Sequence, residues 1–215
     1  MMLSMAFNSL YNIVDSYFVA KLSEDAMTAL SLVYPAQNLL TAVAVGFGVG
    51  VNAMISFYLG AQNQEKADKT ATQGMVLGVL HGALLMVLFL GGMNLFLGMF
   101  TKSDAVRALG MEYSNVVFLF STIVTGGITL EKIFQAVGRM RATMVSMIAG
   151  FVTNIVLDPL LIFGIGPFPR MEIAGAALAT GIGQVITLLV YLIYYVADPL
   201  PVKLHKKYLR PEGEI

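Results

Sequence analysis

The segment FVTNIVLDPLLIF, residues 151–163, places an asparagine and an aspartate inside a run of branched and aromatic hydrophobic residues. Asn154 and Asp158 are four residues apart, so a helix presents both side chains on one face. Pro159 lacks an amide hydrogen and its ring crowds the carbonyl of Ile155, which therefore loses its helical hydrogen bond. The segment predicts a helix that gathers polar oxygens in an apolar environment.

The composition identifies a membrane protein. Hydrophobic residues make up 57% of the 215 residues and charged residues only 12%, and the mean hydropathy is +0.77. An ordinary soluble domain has about twice that share of charged residues. The net charge is zero and there is no cysteine. These values give no indication of a nucleic-acid partner, and they exclude disulfides and thiolate metal sites.

The chain contains six segments that are long and apolar enough to cross a bilayer, which takes about 20 residues each. The first begins at Met1 without a signal-peptide pattern, so we interpret it as a membrane helix. We therefore predict an all-α membrane protein, a bundle of six transmembrane helices. The predicted spans are 1–21, 30–59, 70–99, 111–138, 142–165 and 173–196.

Positive charge in the connections predicts the orientation, because cytoplasmic loops retain Lys and Arg. With the amino terminus in the cytoplasm, nine of the thirteen basic residues lie inside and four outside. We expect an integral protein of the plasma membrane, the cytoplasmic membrane in a bacterium. The inside residues are Lys66, Lys69, Lys132, Arg139, Arg141, Lys203, Lys206, Lys207 and Arg210, and the outside residues are Lys21, Lys102, Arg107 and Arg170.

Polar residues follow one face in three of the predicted helices. The first carries Ser4, Asn8, Asn12 and Asp15, the fifth Asn154 and Asp158, and the last Thr180, Gln184, Thr187 and Tyr191. An aspartate at the centre of a membrane helix costs about 2.5–3.5 kcal/mol, so these faces must meet each other or a water-filled cavity. We expect Asn8, Asn12, Gln37 and Gln184 to line that cavity. Carboxylate and amide oxygens are ligands for a hard cation.

Six short motifs stand in order over nearly the whole chain. They are YNIVDSYFV at 11–19, GFGVGVNAMIS at 46–56, GAQN at 60–63, QAVGRMR at 135–141, NIVLDPLLIFGIG at 154–166 and GAALATGIGQ at 175–184. Together they resemble the multidrug and toxic compound extrusion (MATE) family of cation-coupled exporters.

The resemblance implies one lobe of a two-lobe transporter fold with a Na⁺ or H⁺ site. Asp15, Asn154 and Asp158 match the family's cation-binding positions, with Na⁺ as one candidate ion at these three residues, and Thr180 is the best match for its threonine. The family's first helix starts further upstream and its second lobe is missing here. We therefore interpret residues 1–198 as the amino-terminal lobe of a transporter and 199–215 as a basic, solvated cytoplasmic tail or inter-lobe linker.

The predicted function is cation-coupled antiport of cationic or amphipathic compounds, with membrane lipid and a second lobe or a second copy as partners. No cofactor besides the coupling ion and no enzymatic activity is expected, since neither aspartate lies in the Gly-x-Gly-Asp context of intramembrane proteases. A flippase for lipid-linked precursors and an accessory membrane subunit remain alternatives. A flippase requires a strongly cationic cavity to hold phosphates, whereas an accessory subunit does not require the aspartates.

Two further interpretations concern packing. Gly46, Gly48 and Gly50 resemble a phosphate-binding glycine loop, but no Gly-Lys-Ser/Thr sequence follows them. Gly46 and Gly50 have the spacing of a helix-packing motif, so we predict that the three glycines are packing residues at a close helix contact. Glu131 precedes Lys132 inside the fourth predicted helix, and we interpret it as a residue that either extends to the membrane interface or pairs locally.

Overall fold

The structure is a computed structural model that describes residues 13–209. Every regular element in that range is helical. The described part of the first helix, α1, covers residues 13–20. It is followed by α2 (Glu24–Gly60), α3 (Gln64–Phe100), α4 (Asp104–Val117), α5 (Ser121–Ala136), α6 (Met140–Phe163) and α7 (Glu172–Ala197). Short 3₁₀ turns cover Phe118–Phe120 and Lys206–Tyr208.

The described part of the chain contains five spans that can cross a membrane. The α4 helix, the first 3₁₀ turn and α5 form one of them, Asp104–Ala136. Together with the described part of α1, these spans confirm the prediction of an all-α membrane bundle.

The long helices α2 and α3 begin about six residues before the predicted spans because polar caps extend them. The Ser23 side chain accepts a hydrogen bond from the amide of Ala26, at 3.0 Å, and Asn63 accepts one from the amide of Lys66, at 3.1 Å. These contacts satisfy amides that the helix itself leaves free. Hydropathy locates only the apolar interior of a helix and therefore misses its capped first turn.

Large hydrophobic side chains are exposed around the bundle. On α3, Leu84, Val87 and Leu95 are 60%, 67% and 74% exposed. In water such a belt is an unfavourable surface, whereas acyl chains solvate it. The exposed belt and the buried aspartates therefore fit a protein whose solvent is lipid.

The α6 and α7 helices form the most extensive helix pair among the described residues, and glycines bring their backbones together. A methyl group placed on Gly183 would lie 2.9 Å from the carbonyl oxygen of Gly150, and one on Gly175 would lie 2.7 Å from that of Leu161. Small residues permit this approach in membrane bundles. We call the contact between the two helices the α6–α7 seam.

The packing prediction is confirmed for Gly48 but is wrong for Gly46 and Gly50 within residues 13–209. No atom of residues 13–209 lies within 4 Å of a methyl group built on either glycine. The close contact falls on Gly48 instead, where an added methyl would meet Cγ of Lys132 at 2.8 Å. Spacing identifies which small residues share a face, but the neighbouring helix selects the face that packs.

Two hydrophobic clusters occupy opposite ends of the described bundle. One contains Ile162 near the end of α6 and Ile173 near the start of α7. The other contains Ala142 near the start of α6 and Tyr191 of α7. Asn154 and Asp158 therefore lie between two apolar layers.

Residues 198–208, which we call the strap, pack against the ends of the helices. Leu200 and Val202 are buried in the second cluster. The Lys203 amide donates to Asp68 at 2.9 Å and the His205 amide to Thr72 at 3.1 Å, both on α3. The described part of the predicted tail is therefore docked, whereas the sequence suggested a solvated segment.

Candidate cation-binding site

The α6 helix brings Asn154 and Asp158 together as their spacing predicts. Both residues are fully buried, and the Asn154 amide nitrogen donates a hydrogen bond to Oδ1 of Asp158 at 3.2 Å. The helix continues through Pro159 to Phe163. The pair thus lies inside a continuous membrane helix.

Thr180 lies on α7 opposite this pair. Gly183 contacts α6 next to Asn154 and Gly175 contacts it at Leu161. Because the helices are antiparallel, this register places Thr180 between the levels of Asn154 and Asp158. The threonine is only 7% exposed.

Asp15 approaches the pair from α1. Its side chain is 4% exposed and hydrogen-bonded to the hydroxyl of Tyr113 on α4. It lies close enough to Asp158 for the two carboxylates to repel each other. Side chains of α1, α4 and α6 therefore meet at two buried acidic groups.

Each of the four predicted residues contributes one buried oxygen that has no hydrogen-bond partner within residues 13–209. These oxygens are Oδ1 of Asp15, Oδ1 of Asn154, Oδ2 of Asp158 and Oγ1 of Thr180. Leaving a buried polar atom unpaired costs about 1–3 kcal/mol, so a fold rarely retains several in one place without a function. A bound cation or proton, or an ordered water, would satisfy them.

The donor set fits a hard cation or a proton. Two carboxylates and two neutral oxygens supply oxygen ligands only. Across the described residues, no group of three or more His, Cys, Asp or Glu side chains forms a metal cluster. Two negative charges at this depth repel each other and are poorly solvated, and one bound positive charge relieves both costs.

A cavity of about 400 Å³ opens beside Asp15 between α1 and α2. Its size is within the range of ligand pockets. Gln37 lines it as predicted and donates to the Tyr113 hydroxyl at 3.3 Å. The described lining residues are Ile13, Asp15, Ser16, Leu30, Ser31, Tyr34 and Gln37.

The other predicted cavity residues have different outcomes. Gln184 is partly buried on α7 and does not line this cavity. Asn8 and Asn12 lie outside the described residues. Their role stays a prediction.

Sequence analysis missed Tyr113, Ser31 and Tyr34. Tyr113 is 1% exposed and joins the site by its contacts with Asp15 and Gln37. Ser31 and Tyr34 are three residues apart on α2, just before Pro35. This spacing puts two polar side chains on one face of an apolar helix, and it was the available signal of a cavity. No comparable signal marked Tyr113, since its partners lie on other helices.

Comparison with known proteins relates the chain to membrane exporters. The profile of the MatE family matches residues 1–160. The multidrug export protein MepA of Staphylococcus aureus (strain NCTC 8325 / PS 47) is 29% identical over 216 residues, which cover all of this chain and 47% of MepA. MepA of Staphylococcus saprophyticus is 27% identical over the same share.

Solved structures show the same fold. A crystal structure of MATE in the bent conformation superposes with a TM-score of 0.91 at 30% identity, covering 100% of this chain and 47% of that one. A MOP superfamily transporter from Pyrococcus furiosus, described as having a binding pocket of reverse polarity that suggests a different function, gives 0.90 at 27% with the same coverage. The chain spans about half the length of the relatives it matches.

Proposed function

The chain belongs to the MatE family, and we propose that it forms one lobe of a cation-coupled antiporter that exports cationic or amphipathic compounds. In this proposal residues 1–198 are the amino-terminal lobe and 199–215 begin the connection to a second lobe or form a cytoplasmic tail. The coupling ion is Na⁺ or H⁺. Asp15, Asn154, Asp158 and Thr180 bind it.

One observation carries the proposal: four buried oxygens without a partner within residues 13–209, on two acids and two neutral residues. A purely structural cluster would pair its oxygens with protein donors, since an unsatisfied buried network is less stable than an apolar core. The four oxygens instead leave room for an ion.

Coupling follows from differential binding. If the outward and inward shapes of the lobe hold the cation with different affinity, binding shifts their populations. A compound that binds the same two shapes then changes the cation affinity by the same factor. The Asp15 side chain can link the two events, because it belongs to the ion site and also lines the cavity.

The cavity supports a cationic or amphipathic substrate. Its described lining combines one acid, one tyrosine, three neutral polar side chains and two apolar ones and includes no Lys or Arg. An aromatic face and a carboxylate attract an organic cation. A second lobe, or a second copy of the chain, would close the open side of the cavity.

A lipid-linked precursor flippase is the nearest alternative, and the Pyrococcus furiosus relative is described as having a binding pocket whose reverse polarity suggests a different function. The acidic lining opposes a flippase here, since phosphates require cationic partners. An accessory subunit would have no use for two buried carboxylates. Binding of a cationic dye, with no binding of a lipid diphosphate, distinguishes the exporter from both.

The decisive test replaces Asp158 and Asp15 by asparagine, in two separate variants of the two-lobe transporter of which this chain is one lobe in the proposal. We expect gradient-driven dye efflux to be lost in proteoliposomes, because the amide cannot change charge with cation occupancy. Membrane insertion stays intact. The matched control is Asp198→Asn, which removes an exposed acid paired with Arg139. Wild-type efflux in both site variants would reject the ion site.

The orientation is tested by single cysteines. We propose that the amino terminus is cytoplasmic, so cysteines at Gln64 and Arg141 are expected to react with an impermeant reagent from the cytoplasm. A cysteine at Arg170 is expected to react from outside. Labelling in the reverse pattern would overturn this topology.

A further inference from the structure

The membrane span Asp104–Ala136 is interrupted near its middle by the 3₁₀ turn Phe118–Phe120. The turn contains neither proline nor glycine, so its own sequence does not account for the break. A 3₁₀ turn winds three residues per turn instead of 3.6, which rotates the side chain of Phe120 by roughly 60° relative to a continuous α-helix. A 3₁₀ interruption inside a long helix often marks a functional position.

Helix α3 holds this turn from one side. The ring of Phe118 stacks on that of Phe89, with ring centres 4.5 Å apart. A methyl group built on Gly82 would lie 2.7 Å from Cα of Thr122 and 3.1 Å from the carbonyl oxygen of Ser121. The backbone just after the turn therefore packs directly against α3, and this contact fixes the position of the turn.

On another side the turn contacts α7 through Phe120. The three atoms nearest to a methyl group built on Gly181 all belong to the Phe120 ring, with Cζ at 2.6 Å and with Cδ2 and Cε2 closer still. The glycine therefore leaves room for the ring directly against the α7 backbone. Because Gly181 follows Thr180, the ring lies one residue away from a proposed ligand of the cation.

Helix α7 has close contacts on two nearly opposite faces at the level of Thr180. Gly181 and Gly183 are two residues apart, which is about 200° around the helix. The methyl position of Gly183 lies 2.9 Å from the carbonyl oxygen of Gly150 and 3.3 Å from Cβ of Asn154, both on α6. Thr180 is only about 60° from Gly183 around the helix, so it belongs to the α6 side. The Phe120 ring and α6 thus hold α7 between them.

The position of the Thr180 hydroxyl depends on the rotation of α7. Its Oγ1 has no hydrogen-bond partner within residues 13–209, whereas Thr187 on the same helix donates to the carbonyl of Gly183 at 2.9 Å. A helix rotation of about 20° moves an oxygen that is about 5 Å from the axis by about 2 Å. A binding site tolerates displacements of only about 0.5 Å.

We propose that Phe120 is a positioning residue of the ion site. Its ring, which the 3₁₀ turn places against Gly181, sets the rotation of α7 and thereby the position of the Thr180 hydroxyl. The ring acts through Thr180 and does not contact the ion. The inference rests on the proposed function, in which Thr180 binds the cation, and it adds the packing contact that orients this ligand.

Titration of the full chain with Na⁺ in lipid nanodiscs tests the role of the ring. Phe120→Leu removes two of the three ring atoms nearest to Gly181, Cε2 and Cζ. We expect it to weaken Na⁺ binding about tenfold, as the loss of other residues that orient metal ligands does. Thr180→Ala is expected to weaken binding by a similar factor. Because the ring acts through the threonine, the double variant is expected to bind as Thr180→Ala does; additive losses would overturn the proposal.

The matched control is Phe118→Leu, the same substitution in the same 3₁₀ turn. The Phe118 ring is 1% exposed and stacks on Phe89, so its loss lowers stability, but we expect wild-type affinity for Na⁺. Equal losses of affinity in Phe118→Leu and Phe120→Leu would overturn the positioning role. If Phe120→Leu does not fold, Gly181→Ala replaces it, since the added methyl displaces the ring from the α7 side and is expected to weaken binding as well.

Failure of the inference and failure of the proposed function give different results. Wild-type affinity in Phe120→Leu, with weaker binding in Thr180→Ala, would overturn only the positioning role. Wild-type affinity in Thr180→Ala would reject Thr180 as a ligand and the inference with it.

Distances between spin labels test the rotation of α7 without relying on ion binding. The chain has no cysteine, so labels can be attached at exposed positions: Leu84 of α3 paired with Leu192 or with Ile193 of α7. The two α7 positions are about 100° apart, so a rotation changes at least one of the distances, and we expect a shift of about 2 Å in Phe120→Leu. Phe118→Leu is expected to leave both distances unchanged.

These distances decide the case in which the wild-type chain does not bind Na⁺, a result that would reject Na⁺ as the coupling ion. A shift confined to Phe120→Leu would support the positioning role. Unchanged distances in Phe120→Leu would overturn it, whichever ion the site binds.

Discussion

Asp158 of α6 and Asp68 of α3 are both buried aspartates of the same helical bundle, but their surroundings differ. Asp68 accepts from the Gln64 side chain at 2.8 Å, from the Lys203 amide at 2.9 Å and from His205 at 3.2 Å. Asp158 accepts from Asn154 and retains an oxygen without a partner in the described range. Protein donors satisfy the first carboxylate, whereas no donor within residues 13–209 satisfies the remaining oxygen of the second.

Under the proposed function, this difference separates an acid that stabilises the fold from an acid that binds an ion. A carboxylate that accepts several donors is stabilised in one arrangement and resists change. A carboxylate with a free oxygen beside a like charge gains free energy when a cation arrives. Burial alone therefore does not identify a functional acid; the number of donors around it does.

The largest expected effect is on stability at Asp68. We predict that Asp68→Ala lowers the free energy of unfolding by about 3 kcal/mol, because it leaves the Lys203 amide and the His205 ring nitrogen without their acceptor. Cation binding at Asp158 is expected to remain. Thermal unfolding in detergent and cation titration measure the two quantities. Loss of cation binding in this variant, with the fold intact, would show that Asp68 contributes to cation binding as Asp158 does, and would contradict the division of roles between the two acids.

A smaller effect is expected at the seam that carries Asp158. Gly150→Ala places a methyl group 2.6 Å from the carbonyl oxygen of Gly183 and against the Thr187 hydroxyl, so the helices must separate. We predict a loss of about 2 kcal/mol, as for other overpacked cores. Gly50→Ala is the control, since no described atom lies within 4 Å of its methyl group. If both variants unfold at the same temperature, the seam is not tightly packed.

The smallest effect is expected at Asn154. Asn154→Ala removes one neutral ligand oxygen and the donor to Asp158 but leaves both carboxylates. We predict about tenfold weaker cation binding, or roughly 1.4 kcal/mol, with the coupled transport retained. Isothermal titration of the purified lobe measures the affinity. Complete loss of binding would mean that the asparagine, and not the pair of charges, dominates the ion site.

Much of the fold followed from local pattern. Hydropathy placed five spans near their observed positions, and the spacing of four residues placed Asn154 beside Asp158. Both depend on geometry within one helix, which is the same in every protein. The same reasoning failed for Gly46 and Gly50, because a shared face does not specify which neighbour, if any, packs against it.

The sequence alone determined that this chain is a helical membrane protein with acids in its interior, since the energetic cost of burying charge in lipid leaves few alternatives. The tertiary structure decided which acids are satisfied. Tyr113 meets Asp15, and the strap reaches back to Asp68 across more than 130 residues. Such contacts depend on how helices cross and on how glycines let them approach. Periodicity along one helix carries no information about that geometry.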